Sequence, residues 1–237
     1  MIHLVAVERT ENIENLSRAF TEDRNWLAFM KVFLDVGNIL NLGTRRGGAL
    51  GFKFSSFKSY VTCKGNNGKT YLLPYIMNKI FDQKPETLEF FPDLYLNLKT
   101  ATFNLDDVLT DLAKIKGRFN SLKSLLESAD KLKPKDENFI AQYTPFFQEN
   151  VNKIIELETR CKDAKTQFLQ VAVKLGDDPK KISSMPTNDI IIEYKKVFDE
   201  FQKPLEALLK EQEKARKKGG EKKEKKTKKS KVQEEDD

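Results

Sequence analysis

Residues Val36 to Phe57 read V-G-N-I-L-N-L-G-T-R-R-G-G-A-L-G-F-K-F-S-S-F and contain five of the eleven glycines in the chain. Glycine tolerates positive φ and close approach of another backbone, so this density of glycines predicts a loop with several tight turns. The glycine-rich part, from Gly37 to Gly51, contains no acid, histidine or cysteine and is therefore poorly equipped for catalysis. The pattern indicates a surface that receives a partner.

The sequence on both sides of this loop predicts helices. Apolar residues recur there at spacings of three and four, which is the period of a helix with one buried face. The predicted helical segments are 1–20, 23–41, 70–81, 104–129, 137–175 and 188–218, and the last but one carries a near-heptad apolar stripe. We find no alternating strand pattern. The predicted fold is therefore all-α, an elongated helical bundle with long near-heptad helices and a glycine-rich docking loop.

Charge divides the chain into a body and a tail. The formal net charge is +6, but eleven Lys or Arg residues and only two Glu fall between Lys214 and Lys231. We predict a helical body over residues 1–215 and a disordered, lysine-rich tail with an acidic end over residues 216–237. The tail has no aromatic residue for base stacking, so it favours weak attraction to an acidic polymer and no specific nucleic acid.

Several classes of function are disfavoured by what the sequence contains. No apolar run has the length of a transmembrane segment, and the only histidine is His3. Cys63 and Cys161 are far apart, which favours reduced thiols and offers no metal site or Cys/His nucleophile. We therefore predict no enzyme activity, no cofactor and no bound metal.

One segment imitates a phosphate-binding loop. Residues Cys63 to Thr70 read C-K-G-N-N-G-K-T, but that motif needs glycine where Cys63 stands and a buried strand before it. The preceding F-K-S-Y-V-T makes a poor central strand. The sequence therefore favours a solvated turn between helices over a nucleotide site.

The glycine-rich loop and three later motifs together resemble the formin homology 2 domain, the actin-assembling module of formins. The loop carries G-N-x-x-N-x-G-T-x-R-G-x-A-x-G-F, and residues 64–73 carry K-x-x-x-x-K-T-x-L-L. Phe91-Pro92-Asp93-Leu94 and Gly176-Asp177-Asp178-Pro179 complete the set. The resemblance covers about residues 1–215 and corresponds to the C-terminal part of the family domain, the post and part of the coiled-coil region.

The resemblance implies two binding sites. In this family the post receives the N-terminal lasso of a second subunit. The positions that match the lasso-docking pattern are Gly37, Asn38, Asn41, Gly43, Thr44, Arg46, Gly47, Ala49, Gly51 and Phe52. A basic residue after the loop is implicated in actin contact, and Lys64 matches best, with Lys53 as the runner-up.

The resemblance also implies the partners and the activity. We expect actin and another formin subunit, in a homodimer or heterodimer, as partners, and profilin-bound actin only through upstream regions. The tryptophan-bearing lasso, the linker and the knob have no match here. We therefore expect a cytoplasmic module of the actin cytoskeleton that contributes to filament nucleation and barbed-end elongation with a partner subunit or upstream residues. The alternative is a helical interaction module that docks a formin lasso without assembling actin.

Overall fold

The computed structural model describes residues 2–128 and 137–233, and it confirms the all-α fold class. The helices are α1 Ile2–Glu22, α2 Arg24–Leu40, α3 Phe57–Thr62, α4 Leu72–Gln83, α5 Phe91–Thr100, α6 Leu105–Ser128, α7 Glu137–Lys174, α8 Pro179–Ile182 and α9 Thr187–Gln233. Short 3-10 turns occupy Phe54–Ser56 and Pro85–Leu88. Over the described ranges, β pairing is limited to one isolated bridge between Lys64 and Tyr71.

The helix bounds agree with the sequence pattern wherever the apolar period is long. The pattern does not predict the short helices α3, α5 and α8, because fewer than three turns give periodicity little to act on. The predicted break at Lys133-Pro134-Lys135 lies outside the described residues. Helix α9 continues to Gln233, beyond its predicted end at Lys218, and lysine and glutamate are good helix formers. Disorder of the tail in solution stays a prediction.

The described helices form two compact units. The first comprises the chain up to Ser55 and the segment Phe90–Lys195, and the second comprises Ser56–Glu89 and the chain from Lys196 onward. No helix in the part of the chain that the structure describes is both long and apolar enough to cross a membrane.

Helix α1 organises the first unit, where it packs against α2, α5, α6 and α7. Its core residues Ile13, Leu16 and Phe20 are buried. Leu4 is 73% exposed. It precedes Ile13 by nine residues, which at 3.6 residues per turn places it on the opposite side of α1.

Ion pairs join α7 to its neighbours in the first unit. Arg160 of α7 donates to both carboxylate oxygens of Glu14 in α1, at 2.8 and 2.6 Å. These hydrogen bonds raise the pKa of the guanidinium. In the same way, Glu158 accepts from Lys116 of α6 at 2.7 Å and from Lys162 at 2.5 Å, and these bonds lower the pKa of its carboxyl.

The apolar stripe of α7 lies in the core, as predicted. The buried members of this stripe are Ile154, Leu157, Cys161, Ala164, Phe168, Val171 and the following Leu175. They recur at spacings of three and four, which keeps them on one face against α1 and α6. Burial of Cys161 raises the pKa of its thiol.

The second unit is built on α3, α4 and the part of α9 from Lys196 onward. Its core includes Phe57 of α3 and Phe201 of α9, whose ring centroids are 4.9 Å apart. Leu73, Ile76, Met77 and Ile80 form the buried face of α4. Pro74 lies in the first turn of α4, where its missing N–H costs no helical hydrogen bond.

Candidate functional site: the glycine-rich loop

The loop begins where α2 ends. Asp23 caps the start of this helix, accepting from the backbone N–H groups of Asn25 and Trp26 at 2.8 and 3.0 Å. Asn41 caps the other end, and its side chain donates to the carbonyl of Gly37 at 2.7 Å. Trp26 fixes the first part of α2 in the core. The centroid of its ring lies 5.5 Å from the ring centroids of Phe20 and Phe90. The loop therefore leaves a rigid helix.

Asn38 closes the loop. Its side chain donates to the carbonyl of Ala49 at 2.9 Å and accepts from the N–H of Ala49 at 2.8 Å. This reciprocal pair spans eleven residues and holds the loop's far side against the last turn of α2. A side chain with both an amide donor and an amide acceptor is required to make both bonds, which explains why asparagine stands here.

Two tight turns fill the loop between these anchors. Thr44 accepts through its hydroxyl from the N–H of Arg46 at 3.1 Å and donates to the carbonyl of Asn41 at 2.8 Å. Gly43 and Gly48 have φ of 76° and 70°, a conformation that residues with a Cβ rarely adopt. A Cβ on Gly47 would lie 2.6 Å from the carbonyl oxygen of Asn41. The glycines are thus needed for the fold of the loop itself.

The loop ends on the turn after α7. The N–H of Phe54 donates to the carbonyl of Leu175 at 2.7 Å, and the Phe54 ring packs 4.7 Å from that of Tyr194. Lys53 lies directly over Gly176, where a Cβ would approach its Cα at 3.0 Å and its Cγ at 2.9 Å. The glycine-rich loop and the G-D-D-P turn, far apart in sequence, therefore form one structure.

This anchored loop presents an unusual amount of apolar surface. Ile39 is 70% exposed, Leu40 58%, Leu42 83% and Leu50 fully exposed. Ile39 and Leu40 end α2, Leu42 follows in the loop, and the Asn38–Ala49 pair holds the backbone next to Leu50 at the last turn of α2. We call these four residues the apolar patch. Because these apolar side chains are exposed on a loop with many internal hydrogen bonds, the apolar patch is a candidate surface for a protein partner.

The structure brings together most of the predicted docking residues, with different local roles. Asn38, Asn41, Thr44, Gly47 and Ala49 take part in the loop's internal contacts, and Gly37 lies within α2. Arg46 and Gly51 are exposed, and Phe52 is half-buried. Their role in docking stays a prediction. Sequence reasoning missed the apolar patch as a candidate site, although its leucines extend the α2 stripe into a loop with no predicted cover.

Lys64 lies in the second unit, on the turn between α3 and α4. The N–H of Gly65 donates to the carbonyl of Thr70 at 2.8 Å, and that of Leu72 to the carbonyl of Cys63 at 2.9 Å. No strand precedes this turn in the described structure, and its residues 62–71 are all exposed. The resemblance to a phosphate-binding loop is therefore confined to the sequence.

Comparison with known proteins identifies the family of this chain. The family model described as Formin Homology 2 Domain matches residues 6–201. The chain is 29% identical over 203 residues to Formin-F of Dictyostelium discoideum, covering 82% of this chain and 16% of that protein. It is 24% identical over 209 residues to a formin-like protein of Drosophila melanogaster, covering 88% of this chain and 17% of the relative.

A third relative, inverted formin-2 of Xenopus laevis, is 26% identical over 170 residues, which are 72% of this chain and 15% of the relative. The chain thus spans about a sixth of the length of each of these proteins. The family model covers the apolar patch, the glycine-rich loop and the Lys64 turn together. The chain belongs to the formin homology 2 domain family.

Proposed function

We propose that this chain is the actin-binding post region of a formin, and that it contributes to filament nucleation and barbed-end elongation in a dimer. In this account the glycine-rich loop and the apolar patch receive the lasso segment of a partner formin subunit. The observation that carries the proposal is the exposed apolar patch, which is held on a loop anchored at both ends.

The anchoring supports docking because a preorganised surface loses little conformational entropy when a partner binds. Asn38 fixes the loop to α2, and Phe54 fixes it to the core of the first unit. Fully exposed Leu50 and 83% exposed Leu42 offer side chains that gain free energy when a partner covers them. Family membership supports the choice of partner, a lasso segment from a second formin subunit that is either identical or different.

Actin is the second proposed partner, with Lys64 as the first contact. This lysine is exposed on a turn whose neighbouring residues are exposed as well. An exposed ammonium steers encounter with an acidic surface and holds it without a large desolvation cost. Lys53 is the weaker candidate, because its side chain lies over Gly176 and contributes to anchoring the loop.

The proposed activity involves binding alone. We assign the chain no covalent chemistry and infer association with the actin cytoskeleton from its family. Profilin-bound actin would be reached only through upstream regions of a longer formin. The basic residues of the tail add a weak, salt-sensitive attraction to the acidic filament.

Assembly of pyrene-labelled actin tests the proposal, with the oligomeric state of the chain measured in the same buffer. We expect the chain with a lasso-bearing formin subunit to accelerate unseeded assembly, and Lys64→Glu to reduce that acceleration. Binding of the formin subunit with no effect on seeded or unseeded actin would contradict the actin part of the proposal. That result would favour a module that only docks a lasso.

A further inference from the structure

We propose that the exposed face of α4 and the turn before it form a second part of the actin contact. In this contact, tyrosine rings hold in place the lysines that touch actin. The face consists of Lys64, Tyr71, Tyr75 and Lys79, and we call it the Tyr–Lys face. The inference rests on the proposed function and assigns Tyr71 as a positioning residue for Lys64.

The turn between α3 and α4 places Lys64 opposite Tyr71. These two residues form the isolated antiparallel bridge, and the Lys64 Nζ lies 5.1 Å from the centroid of the Tyr71 ring. Asn67 stabilises the turn, because its Oδ1 accepts from the N–H groups of Lys69 and Thr70, both at 3.0 Å. Gly68 completes it with φ of 66°. The lysine is therefore held by a defined turn as well as by the ring.

A second ring–lysine pair follows along the same helix face. Tyr75 and Lys79 are four residues apart on one side of α4, and Tyr71 lies at the N-cap position just before the helix. The Lys79 Nζ lies 5.9 Å from the centroid of the Tyr75 ring. Tyr71 is 43% exposed and Tyr75 is 52% exposed, so a large part of each side chain is in contact with solvent. The opposite side of α4 carries its buried residues, so this face is directed to solvent.

The charge of this segment has one sign. Residues 56–81 contain four lysines and no Asp or Glu. An ammonium over a ring face is attracted by the ring's negative potential, which restricts the lysine while leaving its charge unneutralised. Exposed tyrosines also supply contact area at a small cost in side-chain entropy. These properties match a partner surface that is acidic and partly apolar.

Actin is the occupant to which the proposal commits, because Lys64 is already the proposed actin contact. Tyr71 connects that lysine to the start of α4, and the face continues to Lys79 without an intervening acid. A partner seated on Lys64 therefore meets the two tyrosines next.

Cosedimentation of the full chain with filamentous actin tests the inference at low and at physiological salt. We expect Lys64→Glu and Lys79→Glu each to weaken binding about five-fold, with smaller effects at higher salt. Tyr71→Leu should weaken it about three-fold, whereas Tyr71→Phe, which keeps the ring, should stay within about 1.5-fold of wild type. In a double-mutant cycle, the losses from Lys64→Ala and Tyr71→Leu should not add, because each removes the same pair.

Lys99→Glu is the matched control, since Lys99 lies 4.2 Å over the Tyr95 ring in the first unit and is also exposed. This change should leave actin binding unaltered. If Lys64→Glu weakens binding while Tyr71→Leu and Lys79→Glu match wild type, the inference is wrong and the proposed function stands. If Tyr71→Phe and Tyr71→Leu weaken binding equally, the ring does not position Lys64. Failure of the wild-type chain to bind actin overturns both proposals.

Discussion

At the scale of single residues, Gly176 connects the glycine-rich loop with the G-D-D-P turn, two motifs that are far apart in sequence. It ends α7 with φ of 96°, and the space where its Cβ would be is occupied by Lys53 from the end of the glycine-rich loop. Both features disfavour a residue with a Cβ, one through backbone conformation and the other through contact with Lys53. Glycine at this position lets the loop lie close against the turn after α7.

Gly176→Ala is therefore expected to destabilise the chain by about 2 kcal/mol, more than a positive φ alone would cost. Gly43→Ala is the matched control, because Gly43 has φ of 76° and a Cβ added there would meet no atom within 4 Å. We expect this change to cost about 1 kcal/mol. Chemical denaturation measures both changes in the free energy of unfolding. Equal losses would show that the Lys53 contact contributes nothing.

At the scale of elements, the start of α9 is joined to the turn after α7 by Tyr194. Its hydroxyl donates to Asp177 Oδ2 at 2.5 Å, and the side chain is buried. Burial, and then the neighbouring carboxylate, raise the pKa of Tyr194 well above its ordinary value. Ionisation of this tyrosine in the folded chain would place two negative charges side by side, which the fold resists.

This shift predicts a loss of stability in alkali. Unfolded tyrosine ionises near pH 10, whereas folded Tyr194 keeps its proton, so the unfolded state binds fewer protons above about that pH. The free energy of unfolding should then fall by about 1.4 kcal/mol per pH unit for this group. Urea denaturation between about pH 8 and pH 11, on either side of that ionisation, measures the slope.

Tyr194→Phe should make that alkaline slope shallower. It should also cost about 1 to 2 kcal/mol at neutral pH, because Asp177 loses its hydrogen-bond donor. Tyr60, whose pKa is also raised by burial, keeps part of the slope in the variant. An unchanged slope would contradict the assignment of the effect to Tyr194.

Helices of three or more turns can be predicted from the sequence, because their apolar period reports the buried face directly. The stripe of α2 illustrates the limit of this reasoning. Trp26, Phe29 and Phe33 are buried, but Ile39 and Leu40, which continue the same apolar face, are exposed. Whether a face is covered depends on segments far away in the chain, and periodicity does not contain that information.

The sequence indicates which loop is the candidate docking surface, but it does not predict the contacts that hold this loop in place. The glycines and asparagines of the loop indicate a docking surface through their resemblance to a family pattern. The reciprocal Asn38–Ala49 pair and the Lys53–Gly176 contact depend on the closed loop. The position of Lys64 over the Tyr71 ring likewise depends on the geometry of a turn. Such contacts across turns have no signature in spacing.

At the scale of the whole molecule, the two units have different proposed tasks. The first unit carries the glycine-rich loop and the apolar patch, which we propose as the acceptor for a partner subunit. The second unit carries the Tyr–Lys face, which we propose as the actin contact. In this proposal, a chain with both surfaces contributes to actin assembly together with a lasso from a second subunit or from upstream residues.

The most direct test is a calorimetric titration of the chain with a formin homology 2 fragment that carries its N-terminal lasso. We expect the wild type to bind and a Leu42→Asp, Leu50→Asp double variant to bind at least about thirty-fold more weakly, as for the loss of a central contact. Leu96→Asp, at a leucine that is 57% exposed on α5, is the control and should bind like wild type. Equal binding by the wild type and the double variant would contradict the claim that the apolar patch is the acceptor.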